Sequence, residues 1–452
     1  MLPLFAHLVL AQAMPVPQEI VIPQQTRPLP GHLDAVPVFN SNNPEVVQKE
    51  GILLSTFPPT GKRVAAAHLN FPFQGRFDLF LHHIARAIET PNDLRTLYLG
   101  IIVYNPGPQP VTVDVLQAAS YLSQPDAPFV DLPPQQDNAL GTIYAGPGDR
   151  AMNDVLRGQR QTGWPDRLVI PPHQYQLLMN LPIPVRPLTP PLNGRSTLAR
   201  LYSTGPVYLA NLAMFAKQNP DGSEQAPTLE EWEHLLQTGD FAGPREAAPS
   251  DPEHLTGPEI YGRVAAVAQG SQWRTQVTDP GRDRLSIPVP GTEFSYGLST
   301  LLAGQMGTGQ NQSAKLLLRY PGTAYQAHGN YAIEYALTLP LVNATNATQT
   351  VNVLLQTPLK EDQLSKGGLQ FRQPPYNNVY FRGTVRIRYN DDRGLPRTQY
   401  WHLVQRRGQL GTPLAQLVMP PGDRRLVQVD FLYPPDATPP QMLTIQTLKP
   451  SP

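Results

Sequence analysis

Few side chains in this sequence are grouped in a way that could do chemistry. His82-His83 is the paired imidazole, with His68 and Asp78 close by. Imidazole is a good transition-metal ligand. Adjacent residues of a strand, however, point to opposite faces, and on a helix they also diverge. The pair therefore reads as packing or surface histidines rather than as a metal site. Asp391-Asp392 and the run Asn219-x-Asp221-Gly222-Ser223 offer oxygen ligands of the kind calcium takes. Neither completes a calcium loop, and both lie where hairpin turns favour Asn, Asp and Gly. A glycosidase would need two facing carboxylates, but spacing singles out none of the 35 acidic residues. Walker-type phosphate loops, H-E-x-x-H and G-x-S-x-G are absent. The segment "YGRVAAVAQGSQW" has glycines but no helix start, so it is no dinucleotide fingerprint. No catalytic, metal-ligating or cofactor-binding residue is designated. The chain is expected to be non-enzymatic and to need no cofactor.

Two features of the second half point to binding instead. Tyr376, Tyr380, Phe381, Tyr389, Tyr400 and Trp401 cluster there. Exposed aromatics can stack on sugar faces, while alternating aromatics more often fill a sheet core. Arg382, Arg386, Arg388, Arg393, Arg397, Arg406, Arg407, Arg424 and Arg425 give the same region a basic bias. Arg386 and Arg388 share one strand face. Such a face could hold an anionic polysaccharide or a lipid headgroup, or be a solvated sheet face. The candidate binding residues are Arg386, Arg388, Tyr389, Tyr400 and Trp401.

These side chains need a scaffold, and composition limits which. The chain has 452 residues, enough for two or three domains with their own cores. Proline is its loudest signal, with 53 residues. Each Pro inside a helix costs roughly 3 kcal/mol, so many short strands joined by Pro-containing loops are expected. Lys plus Arg and Asp plus Glu both number 35. A neutral chain has no global field to steer it to nucleic acid or an anionic membrane. With no cysteine, disulfides, thiolate metal sites and cysteine nucleophiles are excluded.

Residues 2–10 are an apolar run followed by Ala11-Gln12-Ala13, the small-x-small pattern of a cleavage site. Residues 1–13 are read as an export signal, although no Lys or Arg precedes the run. No later stretch reaches the roughly 18 apolar residues of a spanning helix. The mature chain is expected outside the cytoplasm, in the periplasm or beyond, without a transmembrane segment. Residues 14–50 are a Pro- and Gln-rich extended lead-in, expected to lie along the first domain.

From Gly51 strands begin. Residues 97–104 and 110–116 read as a hairpin around Asn105-Pro106-Gly107-Pro108, with Val111, Val113 and Val115 on one face. Residues 168–170 and 175–179 flank a proline corner. Thr228 and Glu231 form a capping box ahead of Trp232, Leu235 and Leu236, predicting a helix of about ten residues ending near Gly239. It is taken as part of a connector, 217–256, between a first β domain, 51–216, and a second, 257–449. Residues 379–389 and 398–405 flank Asn390-Asp391-Asp392-Arg393-Gly394, a hairpin signal.

The halves match in order. "VYNPGPQPVTVDVLQ" parallels "LVNATNATQTVNVLLQ", and "LVIPPHQYQL" parallels "LVMPPGDRRL", at offsets of 238 to 249 residues. The expectation is a mainly β protein of two tandem immunoglobulin-like sandwich domains with a short helical connector. The Cys and Trp pattern of true antibody domains is absent.

Several runs are distinctive: "VFNSNNPEVVQKEGILLSTFPPTGKRV", "LRTLYLGIIVYNPGPQPVTVDVLQAASYLSQPDAPF", "LNGRSTLARL", "KEDQLSKGGL" and "MPPGDRRLVQVDFLYPPDATPPQ". They resemble the cyanobacterial domain-of-unknown-function family 3370 over nearly the whole chain. The resemblance implies a cyanobacterial periplasmic or cell-envelope protein. It implies no activity and carries over no functional residues. The function expected is a structural or binding role toward an envelope polysaccharide or protein. The alternative is a carbohydrate-active enzyme or solute-binding protein using an inter-domain cleft.

Overall fold

Strand Leu192–Phe215 is 24 residues long and serves two sheets. Its first part pairs with Phe73–Arg86 and Val111–Leu122, and its second part with Leu97–Tyr104 and Gly51–Ser55. The switch falls where Thr204-Gly205-Pro206 interrupts the register between Ser203 and Val207. Pro cannot donate to a ladder, and such a break bends the strand. The two sheets thus share one core, including Leu99, Ile101 and Val103 from one and Val111, Val113 and Val115 from the other. Each such buried side chain contributes roughly 1.5–3 kcal/mol. The computed structural model describes residues 17–87, 93–254 and 260–449; the expected export signal lies outside the described residues. Among the described residues strands take 47% and helices 5%, so the fold is mainly β.

The second half builds a core in the same way. Glu334–Val342, Arg424–Leu432, Val379–Asn390 and Pro396–Arg406 belong to one sheet, and Glu293–Leu298, Gln441–Thr447, Gln349–Gln356 and Pro413–Met419 to another. Leu337, Leu339 and Leu341 meet Val351, Val353 and Leu355 between them.

The halves exchange strands. Ala265–Gln269 and Lys315–Arg319, from the second half of the sequence, extend the first-half sheet. Gln135–Asp137 adds to the edge of a second-half sheet. The lead-in was expected along the first domain, but Gln18–Pro23 and Gln25–Arg27 pair with Gly368–Gln373 and Glu293–Leu298 of the second half. Its Pro37–Ser41 strand does join the first-half sheet.

Two local expectations need correction. Residues 97–104 and 111–122 do not pair as a hairpin. Leu97–Tyr104 pairs with Tyr175–Ile183, and Val111–Leu122 with Arg167–Ile170. The Asn105 turn is an arch from one sheet to the other. A hairpin and an arch demand the same alternation and the same turn residues, so only long-range pairing separates them. The 390–394 turn does close a hairpin, Val379–Asn390 against Pro396–Arg406, with Gly394 at φ +77°.

The helix signal at Thr228 gives α2, Leu229–Thr238, with both capping-box bonds formed. It is not a spacer between the halves. Trp232 and Leu236 pack on Ile52, Ile102, Ala210 and Leu212, the outer face of a first-half sheet. Trp232 lies over Gly100, where any Cβ would come within 2.5 Å of the indole. The helix that does lie between the halves is α1, Pro147–Leu156, which the sequence reading missed. Gly146-Pro147-Gly148-Asp149 looks like loop, but Pro at the first helical position is favourable because its missing N–H would be unpaired anyway. Ala151, Met152, Val155 and Leu156 pack with Phe80, Ala119, Tyr121 and Leu198 of the first half and Leu432 of the second. That first-half sheet is therefore covered on both faces, which explains the unbroken buried run Phe77–His83 in place of alternation.

Candidate functional site

Beside α1 the seam between the halves opens into a cleft of about 540 Å³. Arg76 and Arg200 enter it from neighbouring strands of the first half, Arg157 from just past α1, and Arg274 and Arg386 from the second half. Asp34 and Glu334 are its acidic lining residues. Register explains the grouping: Arg200 sits opposite both Asp78 and Gln117, and Asp78 is two residues from Arg76 on the same face.

Four of the five arginines are held from behind. Arg76 pairs with the buried Asp78. Burial lifts the Asp78 carboxyl above its ordinary range, outweighing Arg76 and Arg200 beside it. Arg200 donates to Glu334 at 2.6 Å, an ion pair that ties the two halves. Arg386 donates to Asp430 at 3.1 Å and to the Leu156 carbonyl at 3.3 Å, the C-terminal end of α1. Burial works against its charge, but Asp430 and Tyr400 outweigh burial and hold Arg386 above its ordinary value. Arg157 lies 3.9 Å over the Tyr400 ring, and burial pushes its pKa down. Arg274 is exposed and gives only Nε to a protein partner, Gln272. With Asp78 and Asp430 behind the wall, the cleft keeps a small positive excess.

Of the residues named from sequence, Arg386, Arg388 and Tyr400 come together on one face of the 379–406 hairpin. Arg388 shares Asp430 with Arg386, at 2.9 Å. Tyr389 and Trp401 lie on the opposite face, packed against the second-half core, with the Trp401 indole donating to the Leu414 carbonyl at 2.9 Å. The aromatic cluster is divided too: Phe381 is buried in the core, and Tyr376 lies between Arg372 and Arg407. The basic residues disperse, Arg397 to Asp391 and Arg425 to Asp423 and Asp392. Asp391 accepts from the Arg393 and Leu395 amides, and Asp221 from the Ser223 amide and hydroxyl, so both turns use their oxygens internally.

The histidines diverge as strand geometry requires. His82 meets Ser196 at 2.7 Å and Glu45 at 3.4 Å. His83 meets Ser41 and Asn211 in the buried interior, and His68 meets Ser55. Among the described residues no group of three or more His, Asp or Glu is placed to hold a metal. Arg76, Arg157, Arg200, Arg274, Asp34 and Glu334 escaped sequence reading. They come from segments hundreds of residues apart, with no local spacing to join them.

A family model described as "Protein of unknown function (DUF3370)" matches residues 24–447. The chain belongs to this family. No curated protein matches it. Among solved structures, Lac15 from a marine microbial metagenome is 12% identical with a TM-score of 0.11; the match covers 84% of this chain and 54% of that one. A mutant of Bacillus subtilis oxalate decarboxylase OxdC is 11% identical, covering 88% and 83%, with a TM-score of 0.12. The coconut allergen cocosin is 11% identical, covering 90% and 86%, with a TM-score of 0.09. This chain spans about half the length of Lac15, and at such TM-scores these likenesses carry no argument about fold or function. Among the described residues no helix is long and apolar enough to cross a membrane.

Proposed function

We propose that this DUF3370 protein is a non-enzymatic, exported cell-envelope protein that binds an anionic envelope polysaccharide in the cleft at its seam. The observation that carries the reading is the convergence of Arg76, Arg157, Arg200, Arg274 and Arg386 from five separate segments on one open cleft. Arginine suits this task because its planar fork keeps its charge and matches carboxylate and sulfate oxygens. Export rests on residues 1–13. A periplasmic or extracellular setting would supply such a polysaccharide. We also read the two cores as tandem, sandwich-like, immunoglobulin-related copies of one ancestral unit that now share strands across the seam.

The alternative, a carbohydrate-active enzyme or solute-binding protein with an inter-domain cleft, draws on the same place, since Asp34 and Glu334 both line it. Titration of the full chain with acidic and neutral polysaccharides, together with an assay for new reducing ends, separates the readings. Binding of the acidic polymer that weakens in salt and with Arg274→Ala, without new ends, supports the proposal. Release of reducing ends favours the enzyme, and equal binding of the neutral polymer overturns the anionic site. Recovery of the protein only from the cytosolic fraction would overturn export.

A further inference from the structure

The bonds already made inside the cleft define what its occupant must still supply. Arg274 spends only Nε, on Gln272. Arg76 spends only Nη1, on the Phe77 carbonyl and on Asp78. Each guanidinium has five N–H donors, so both keep several free. These are seats for an anion.

The same walls hold acceptors that an anion alone cannot use. Glu334 accepts from Arg200 at Oε2 and, among the described residues, has no partner at Oε1. Asp34 receives the Val36 and Ser271 amides at Oδ1 but only the Ser271 hydroxyl at Oδ2. An ionised carboxylate accepts and never donates. Sulfate has no donor to offer these oxygens and is repelled by them. A ligand carrying both a carboxylate and several hydroxyls satisfies both kinds of wall. The cleft, about 540 Å³, falls in the roughly 300–1,000 Å³ range of small-molecule sites, room for more than one sugar ring. Among the described residues its lining contains no aromatic residue, so recognition runs through the polar edges of the rings and not through stacking.

We infer that the ligand is a uronic-acid-containing saccharide, its carboxylate held by Arg76 and Arg274 and its hydroxyls donating to Glu334 and Asp34. This rests on the proposal that the cleft is the binding site. The arrangement selects acidic sugars over inorganic anions by using acceptors as a filter.

The test is calorimetric titration of the full chain with oligogalacturonate, the corresponding neutral oligosaccharide, and sodium sulfate, with thermal melting as a fold control. Oligogalacturonate is expected to bind and sulfate to compete poorly. Arg274→Ala, an exposed position, is expected to weaken oligogalacturonate at least about tenfold, the loss of one charge-assisted contact. Glu334→Gln is expected to weaken the saccharide and to strengthen sulfate. Should its loss of the Arg200 pair impair folding, Arg76→Ala and the sulfate competition on the unaltered protein carry the test. If sulfate competes as well as the saccharide, or Glu334→Gln folds and leaves the preference unchanged, the uronic-acid inference falls while the anionic cleft stands. If no acidic ligand binds, or binding ignores both arginine variants, the cleft reading falls as well.

Discussion

Asn105 and Asn343, 238 residues apart in the chain, make the same set of hydrogen bonds. The Asn105 amide donates to the carbonyls of Gln109, Ile170 and Pro171, at 2.7, 3.0 and 3.2 Å. The Asn343 amide donates to those of Ala347, Met419 and Pro420, at 2.8, 2.7 and 3.1 Å. Each Oδ1 accepts from the amide two residues on, Gly107 or Thr345. Each backbone N–H reaches the far arch, at Gln174 or Asp423. Each side chain thus clasps two arches side by side.

Both asparagines are fully buried. Removing either amide takes the side-chain donor from one buried carbonyl, Ile170 or Met419, at about 1–3 kcal/mol. Asn105→Ala and Asn343→Ala are each expected to lower unfolding free energy by about 1–3 kcal/mol. Urea unfolding measures this. A loss within error at both positions would mean that water replaces the amide.

The second arch needs a left-handed residue. His173 holds φ +54° in one half and Gly422 φ +76° in the other. A Cβ at Gly422 meets nothing within 4 Å, so the cost there is backbone strain alone. Gly422→Ala is expected to cost about 1 kcal/mol. His173→Gly should not destabilise, because glycine's greater freedom when unfolded is offset by relief of strain. A lower melting temperature for His173→Gly, or an unchanged one for Gly422→Ala, would refute this.

Gly100 and Trp232 form a third testable contact. Gly100→Ala drives a methyl into the indole, and overpacking of this kind costs about 1–3 kcal/mol. A double-mutant cycle with Trp232→Leu should show strong coupling. Additive losses would mean that α2 shifts as a body and that the contact is soft.

Burial pushes His83 down to about 3, despite the Pro44 carbonyl at its ring. Its unfolded value is near about 6.5. Because the folded value is the lower one, the neutral ring stabilises the protein above pH ~6.5. That contribution is lost as pH falls from ~6.5 through about 3. His68 and His328, each at about 4, act in the same direction. Asp78 and Asp436 are raised by burial and act oppositely, favouring the fold at low pH and losing that contribution as pH rises. His83→Gln isolates the first effect: its loss of stability between about pH 7 and pH 5 should be smaller than that of the unaltered chain. An equal loss would show that His83 titrates alike in both states.

The sequence by itself determined what local chemistry can fix. Proline content excluded a helical fold, and alternation placed the valines of 111–115 on one face. Thr228 and Glu231 set the start of α2, and the two Pro-Pro corners announced a repeated geometry. Each of these depends on neighbours within a few residues, where propensity and turn chemistry act. Only the tertiary structure decided which strands pair. It turned the Asn105 turn from a hairpin into an arch, took the lead-in to the second half, and put α1 in place of α2 between the halves. It also assembled the cleft. Arg386 was legible because Arg388 stands two residues away on the same strand. Arg76, Arg200, Arg274 and Glu334 were not, because the contacts that gather them close loops of up to hundreds of residues, and no local pattern encodes such a contact.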